Sequence, residues 1–236
     1  MENEKKIPSW FIYFFGSFGG ILFGYDIGVM TGALPFLKID WVSSMSNATL
    51  VGWVTSGVTF GAIFGGALAG QLADRLGRRR MILYSAVIFC VFSLLSGVAP
   101  NNGVFYLIII RCFLGLAVGA ASALVPPYMA ELAPARLRGR MNGLNQTMIV
   151  SGMLISYIMD YLFKGLPTAW GWRIMLAFAA VPAIVLFFGV LKLPESPRYL
   201  VNHGQNDEAR KVLSYVRSND NEIDSELNDI KKTAEP

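Results

Sequence analysis

The sequence predicts an all-α membrane protein, a six-transmembrane-helix bundle followed by short cytoplasmic helices, and three observations support this fold class. Hydrophobic residues make up 54% of the 236 residues and charged residues only 15%, which is a low share of charge for a soluble domain. Long apolar runs recur along the chain. The charges are bunched in the short gaps between those runs, as is typical of loops beside a membrane.

Six apolar runs have about the 17–25 residues that a helix needs to cross a bilayer. They are residues 10–33, 50–72, 81–99, 104–125, 144–163 and 174–193. The first run lacks a small-residue cleavage site and is too long for a signal peptide, so we expect it to be a retained helix. Residues 1–193 are therefore predicted to form the transmembrane region. Residues 194–236 are polar, with weak amphipathic helical patterns over 207–216 and 222–230.

The basic residues predict the orientation of the bundle. Arginines crowd the gaps after the second and fourth runs, whereas the alternate gaps carry only Lys38, Lys164 and Arg173. The crowded gaps hold Arg75, Arg78, Arg79 and Arg80, and then Arg136, Arg138 and Arg140. Because basic loops stay on the cytoplasmic side, we expect a multi-pass protein of the cell membrane with both termini in the cytoplasm. The same rule explains the net charge of +4 without a nucleic-acid partner.

Glycines recur at every fourth position in several runs. Gly57, Gly61 and Gly65 form one such stripe in the second run, and residues 16–32 carry another in the first. Small residues at this spacing let helix backbones approach closely in lipid. The stripes predict either tight packing alone or flat faces on which helices can also slide.

Two lone charges lie in the apolar runs and mark a candidate transport site. Asp26 is the only charged residue between positions 12 and 37, and Arg111 lies near the start of the fourth run. A charge at the centre of a bilayer costs about 2.5–3.5 kcal/mol on insertion scales, so such groups usually face a partner or a water-filled cavity. The two residues together indicate a site inside the helical bundle.

Other reactive residues give little indication of chemistry. His203 is the only histidine and lies in the polar tail, so we predict no metal site. Cys90 and Cys112 fall in apolar runs and are expected to be reduced. Asp160, near the outer end of the fifth run, is expected to be in contact with water. Because the sequence has no phosphate loop, dinucleotide fingerprint or nucleophile motif, we do not expect an enzyme.

Four motifs carry a family resemblance. They are Gly24-Tyr25-Asp26, the segment GQLADRLGRRR at 70–80, PPYMAE at 126–131 with Arg138-Gly139, and PESPR at 194–198. In this order they resemble the signatures of sugar porters of the major facilitator superfamily. The motifs cover nearly the whole chain, but that family has twelve helices, and this sequence supplies the first six and part of the central cytoplasmic segment.

The resemblance implies the N-terminal half of a major facilitator fold and a function in transporting a monosaccharide. Proton symport by alternating access is the leading hypothesis, with the proton gradient as the coupling source and no other cofactor. The C-terminal six-helix half would complete the substrate site between the two halves. A passive sugar facilitator and a non-transporting fragment or sugar sensor are the alternatives.

The resemblance assigns proton coupling to Asp26 and Arg111. It places Arg111 opposite Asp26, and a carboxylate whose guanidinium partner moves away is pushed towards the neutral acid. That alternation is what coupling to protons requires. A static structural ion pair is the alternative, and the sixth run lacks the acidic residue that some proton-coupled members carry.

The resemblance also assigns substrate contacts to Gln146, Met153 and Phe23. The amide of Gln146 can both donate hydrogen bonds to sugar hydroxyls and accept them. Met153 lies two turns further along the same face, where some relatives have a second glutamine. Phe23 matches an aromatic residue that packs near the sugar ring. A polar helix contact for Gln146 and core packing for Phe23 are the alternatives.

A network of charges at the cytoplasmic ends of the helices is the last expectation. The resemblance implies ion pairs that hold the cytoplasmic side shut when the transporter faces outward. Its members are Asp74, Arg75, Arg78, Arg79, Glu131, Arg138, Glu195 and Arg198. Gly77 would permit the tight turn beside them. The alternative is that the arginines only set the membrane orientation.

Overall fold

A computed structural model describes residues 7–234, and every regular element in that range is helical. The bundle is built from α1 (Ser9–Ser17), α2 (Gly19–Asp40), α3 (Val42–Met45), α4 (Ala48–Leu76), α5 (Arg78–Gly97), α6 (Val104–Leu132), α7 (Arg138–Phe163), α8 (Thr168–Ala177) and α9 (Ala180–Leu191). The helices that follow are α10 (Pro197–Asn202), α11 (Asn206–Val216) and α12 (Asp220–Ala234). Residues 1–6 and 235–236, at the outer ends of the two predicted segments, lie outside the described residues.

Five helical stretches are long and apolar enough to cross a membrane. They are Ser9–Asp40, which joins α1 and α2, then Ala48–Leu76, Arg78–Gly97, Val104–Leu132, and Thr168–Leu191, which joins α8 and α9. The fifth predicted run lies in α7, which is also long enough but more polar. The prediction of an all-α membrane bundle is therefore confirmed, although most spans extend beyond their predicted ends.

Two helix pairs, α4 with α6 and α2 with α7, have the most extensive contacts and form the framework of the bundle. At the first contact, a Cβ added to Gly61 would overlap the carbonyl oxygen of Cys112. At the second, a Cβ added to Gly24 would overlap the carbonyl oxygen of Ile149. The glycine stripes therefore bring helix backbones into direct contact, as predicted for tight packing.

The turn between α4 and α5 requires a glycine. Gly77 has a φ of 99°, which places it in a region that side-chain-bearing residues rarely adopt. A Cβ at this position would also crowd the carboxylate of Glu195. The predicted tight turn at Gly77 is confirmed. We call the end of the bundle that carries this turn, Arg78 and residues 194–234 the arginine-rich end.

The polar tail forms helices at the arginine-rich end. Ser196 begins α10 by accepting a hydrogen bond from the backbone N–H of Tyr199, and Pro197 occupies the first turn, where proline is tolerated. The patterns predicted over 207–216 and 222–230 correspond to α11 and α12. Ile223 and Leu227 are buried as their common face predicts.

Candidate functional site: a cavity beside a buried ion pair

A cavity of about 700 Å³ opens between α2, α4 and α6. Its wall consists of Phe23, Asp26, Ile27, Met30, Thr31 and Leu34 of α2, Thr55, Val58, Thr59 and Ala62 of α4, and Arg111, Val118, Gly119, Ser122 and Ala123 of α6. Most of these side chains are apolar, with a few hydroxyls and two charges. A largely apolar wall with a few polar groups is typical of small-molecule sites.

Asp26 and Arg111 meet at the cavity wall. Arg111 Nη2 lies 3.5 Å from Asp26 Oδ2, and their side chains are only 2% and 6% exposed, respectively. Gly57 of α4 packs beside the Cβ of Arg111, where even an added Cβ would make only an ordinary contact. The prediction that these two charges lie together is confirmed by the geometry, although their role in coupling stays a prediction.

The Arg111 guanidinium is incompletely satisfied. Its Nε and Nη1 atoms are buried and have no hydrogen-bond partner among residues 7–234. The one contact with Asp26 is longer than the 2.7–2.9 Å usual for a strong charge-assisted hydrogen bond. Arg111 therefore retains donors that face the interior without a fixed acceptor.

The predicted substrate residues are only partly brought together. Phe23 is half-buried and lines the cavity beside Asp26. Gln146 and Met153 lie on α7 instead, where Gln146 is exposed and Met153 is half-buried, and neither lines this cavity. The assignment of all three to one substrate site stays a prediction.

Sequence reasoning missed the hydroxyl groups of the cavity wall. Thr31, Thr59 and Ser122 line it from three different helices. Thr31 and Ser122 stand alone in apolar stretches, and that isolation is a signal that could have identified them. Thr59 follows Thr55 and Ser56 and does not stand out in this way. Their convergence on one cavity depends on helix packing, which a single sequence does not display.

Three members of the predicted charge network, Asp74, Arg78 and Glu131, form ion pairs at the arginine-rich end. Arg78 Nε donates to Glu131 Oε2 at 2.7 Å, and Asp74 Oδ1 lies 3.8 Å from Arg78 Nη1. Ser196 Oγ donates a hydrogen bond to the same Glu131 oxygen. Glu131 of α6 therefore joins the start of α5 to the start of α10.

Glu195 and Arg79 stabilise two helix ends in the same region. Glu195 Oε1 accepts hydrogen bonds from the backbone N–H groups of Arg79 and Ser196, each at 2.9 Å. The Arg79 guanidinium donates to the carbonyl oxygens of Val190, at 3.1 Å, and Leu191 at the end of α9. These contacts satisfy backbone groups that helix ends leave free.

The other predicted members of the network have smaller roles. Arg138 Nε donates to the carbonyl oxygen of Ala130 at 3.0 Å, while Arg75 is exposed. Arg198 borders cavities that also contain Asp74 and Arg78, but within residues 7–234 it has no hydrogen bond or ion pair. Its predicted place in the ion-pair network is therefore not seen in this arrangement.

Arg217 is a structural residue that the sequence did not reveal. Its guanidinium donates to the carbonyl oxygen of Leu132 at 2.8 Å and makes a two-pronged ion pair with Glu226 at 2.7 Å. The Arg217 side chain is fully buried. It thereby ties α12 to the end of α6, and no pattern in the sequence predicts a contact across that separation.

Asp160 is a correction to the sequence-based expectation. Instead of facing water, it is 8% exposed and packs against Gly32 of α2. Its helix turns this carboxylate towards α2, and the absence of a side chain at Gly32 leaves the space that it occupies.

Within the described part of the chain, no group of three or more histidine, cysteine or acidic residues is placed so that it could hold a metal ion.

Comparisons with known proteins agree with this architecture. Residues 12–236 match the protein family described as "Sugar (and other) transporter". The chain is 48% identical over 232 residues to the D-xylose transporter of Levilactobacillus brevis, covering 98% of this chain and 49% of that one. It is 40% identical to the glucose transporter GlcP of Staphylococcus epidermidis, covering 96% of this chain and 49% of that one.

Solved structures show the same fold. The proton:xylose symporter XylE bound to 6-bromo-6-deoxy-D-glucose superposes with a TM-score of 0.89 at 30% identity, over 95% of this chain and 53% of that one. An inward-open structure of the xylose transporter XylE from E. coli superposes with a TM-score of 0.83 at 30% identity, over 94% of this chain and 55% of that one. The chain is thus a multi-pass membrane protein of the major facilitator type. It belongs to the sugar transporter family and spans about half the length of the relatives it matches.

Proposed function

We propose that this chain forms the N-terminal half of a proton-coupled monosaccharide transporter that works by alternating access. The observation that carries the proposal is the buried pair of Asp26 and Arg111 in the wall of a cavity. A carboxylate there changes its preference for a proton when its distance from the guanidinium changes. Two Arg111 nitrogens without partners support a pair that can rearrange.

The relatives support a sugar as the substrate class. One is named as a D-xylose transporter, another as a glucose transporter, and a third as the major myo-inositol transporter IolT of Bacillus subtilis. We propose that Phe23 packs against the sugar ring and that Gln146, with Met153 on the same helix, faces the substrate once a C-terminal half encloses the path. The exposure of Gln146 is compatible with that arrangement.

We infer that the arginine-rich end is cytoplasmic, so that both termini are cytoplasmic. The basic loops of that end support this orientation. Residues 194–236 would then begin the central cytoplasmic segment of the complete transporter. The bonds of Arg78, Glu131 and Glu195 would hold that segment against the six spanning helices.

The decisive experiment separates coupling from passage of the sugar. The chain is co-expressed with the C-terminal half of the Levilactobacillus brevis D-xylose transporter, and uptake of a panel of monosaccharides is measured with and without an uncoupler. We expect uphill accumulation that the uncoupler abolishes. Asp26→Asn should abolish accumulation while exchange of sugar across the membrane continues, because only the proton-binding group is lost.

Three results would reject the proposal in different ways. Accumulation that survives Asp26→Asn would remove Asp26 from coupling. Sugar that equilibrates but never accumulates, even with the native Asp26, would indicate a passive facilitator. A complete absence of sugar movement with a well-folded pair of halves would indicate a sensor or a non-transporting fragment.

A further inference from the structure

A second buried carboxylate lies on the opposite side of the first membrane span. Asp160 of α7 is 8% exposed, and its carboxylate is packed against Gly32, six residues along α2 from Asp26. At about 100° per residue, positions 26 and 32 lie roughly 120° apart around α2, so Asp26 and the contact with Asp160 are on different sides of this helix. The proposed coupling pair does not involve Asp160.

Neither carboxylate oxygen of Asp160 has a fixed hydrogen-bond partner among residues 7–234. The nearby Tyr25 hydroxyl donates to the carbonyl oxygen of Met175 at 3.3 Å, so its proton is already used. The N–H of Gly32 lies within α2, where the helix supplies its acceptor. Asp26 has a guanidinium partner, whereas none of the ion pairs in the described part of the chain includes Asp160.

The cations of the neighbouring elements are directed elsewhere. Arg173 of α8 donates to the side chain of Asn101 at 3.0 Å and lies over the ring of Trp172. Lys164, just after the end of α7, lies over the ring of Tyr161 at 3.7 Å. Neither charge therefore compensates an ionised Asp160.

We propose that Asp160 binds a proton and that the folded bundle holds it as the neutral acid at the contact between α2 and α7. An isolated ionised carboxylate is very costly to bury, and such a group neutralises instead. A neutral acid fits the space beside Gly32 at a lower cost, because burial then desolvates a dipole rather than a full charge. Ionisation would require water to enter between the two helices, so the contact closes with the proton bound and loosens when the proton leaves.

This proton site is independent of sugar transport and can be tested on the chain alone. Infrared spectroscopy detects the C=O stretch of a protonated carboxylic acid in the chain reconstituted in lipid nanodiscs. The measurement uses an Asp26→Asn background, so that the other interior carboxylate contributes nothing. We expect a neutral-acid band at neutral pH that disappears in Asp160→Asn and persists in Asp229→Asn, a matched change at an exposed position of α12.

Thermal unfolding of the same proteins gives the second readout. If Asp160 carries a proton in the folded chain and releases it on unfolding, the folded chain binds more protons, so stability falls as pH rises. We expect the unfolding midpoint of the parent to drop by several degrees between about pH 6 and about pH 9 relative to Asp160→Asn. Asp229→Asn should follow the parent.

The opposite results would overturn the proposal. A neutral-acid band unchanged by Asp160→Asn would mean that Asp160 is ionised, with buried water supplying its hydrogen bonds. Equal pH dependence of the parent and Asp160→Asn would lead to the same conclusion. An Asp160→Asn chain that fails to fold would also count against the proposal, because asparagine keeps the size and the neutrality of the acid.

Discussion

Helix α6 carries two very different charge clusters, one around Arg111 in the interior and one around Glu131 at the arginine-rich end. They stand 20 residues, or about 30 Å, apart on one helix. Among residues 7–234, Arg111 has a single polar contact, of 3.5 Å, and two nitrogens without partners. Glu131 accepts a hydrogen bond of 2.7 Å from Arg78 and another from Ser196. The interior cluster is loosely paired, whereas the end cluster joins three helices.

The environments of the two clusters explain this difference. Arg111 and Asp26 are almost fully buried, so their pairing must offset a large loss of hydration, and its net stabilisation is small. Arg78 and Glu131 are 18% and 13% exposed, and they have further partners in Asp74, which pairs with Arg78, and Ser196, which donates to Glu131. A cluster with several partners keeps its geometry when any one of them shifts.

The largest expected effect comes from removing Arg111. Arg111→Met leaves the Asp26 carboxylate buried without a cation and should lower the free energy of unfolding by about 3 kcal/mol. Adding Asp26→Asn should restore most of that loss, because no interior charge then remains. Thermal unfolding in nanodiscs measures both variants. A double variant no more stable than Arg111→Met would show that the loss of stability does not come from the unpaired charge of Asp26.

A smaller loss is expected when the end cluster is weakened. Glu131→Gln keeps the shape but removes the charge that accepts from Arg78 and Ser196, and should lower the free energy of unfolding by about 1–2 kcal/mol. Glu208→Gln, an exposed change on α11, is the matched control and should leave stability unchanged. If Glu131→Gln lowered the free energy of unfolding more than Arg111→Met, the end cluster rather than the interior cluster would make the larger contribution to stability.

A local effect is expected at the junction of α6 with the polar tail. Arg217→Gln removes the ion pair with Glu226 and weakens the bond to Leu132, so α12 should separate from α6 more often. Limited proteolysis should cut residues 218–234 several times faster, while amide exchange in α4 and α6 stays unchanged. Uniformly faster exchange throughout the bundle would show that the end contacts hold the whole fold.

The smallest effect is expected at an ion pair on the surface. Arg210 and Asp224 lie 3.0 Å apart, but both side chains are at least half exposed. Arg210→Gln should leave both the unfolding midpoint and the proteolysis rate within error of the parent, because exposed ion pairs contribute little. A loss as large as that of Arg217→Gln would mean that charge rather than burial determines the strength of these contacts.

Much of the fold could be predicted because membrane helices are specified locally. Five of the six apolar runs were found as spans by length and hydropathy, and the glycine stripes indicated which faces meet. The fourth run was predicted to end at residue 125, just before Pro126 and Pro127, yet α6 continues to Leu132. A proline in lipid-facing or packed helices is tolerated when its neighbours satisfy the freed backbone groups.

The candidate site was predictable in part, for a physical reason. A charge in an apolar run stands out, so Asp26 and Arg111 were found from the sequence alone. Asp160 was misjudged because its position near a helix end indicated water, whereas the rotation of α7 turns it inward against Gly32. Arg217 was missed because its partners lie on two other segments.

The sequence by itself determined that this chain spans the membrane several times and that Asp26 and Arg111 are interior charges, because a lone charge in an apolar run is recognisable from its neighbours in the chain. Only the tertiary structure decided which of these charges have partners. Asp26 faces a guanidinium and a cavity, whereas Asp160 packs against Gly32 and has no hydrogen-bond partner among residues 7–234. That distinction depends on the rotation and contacts of packed helices, which side-chain chemistry along one helix does not fix.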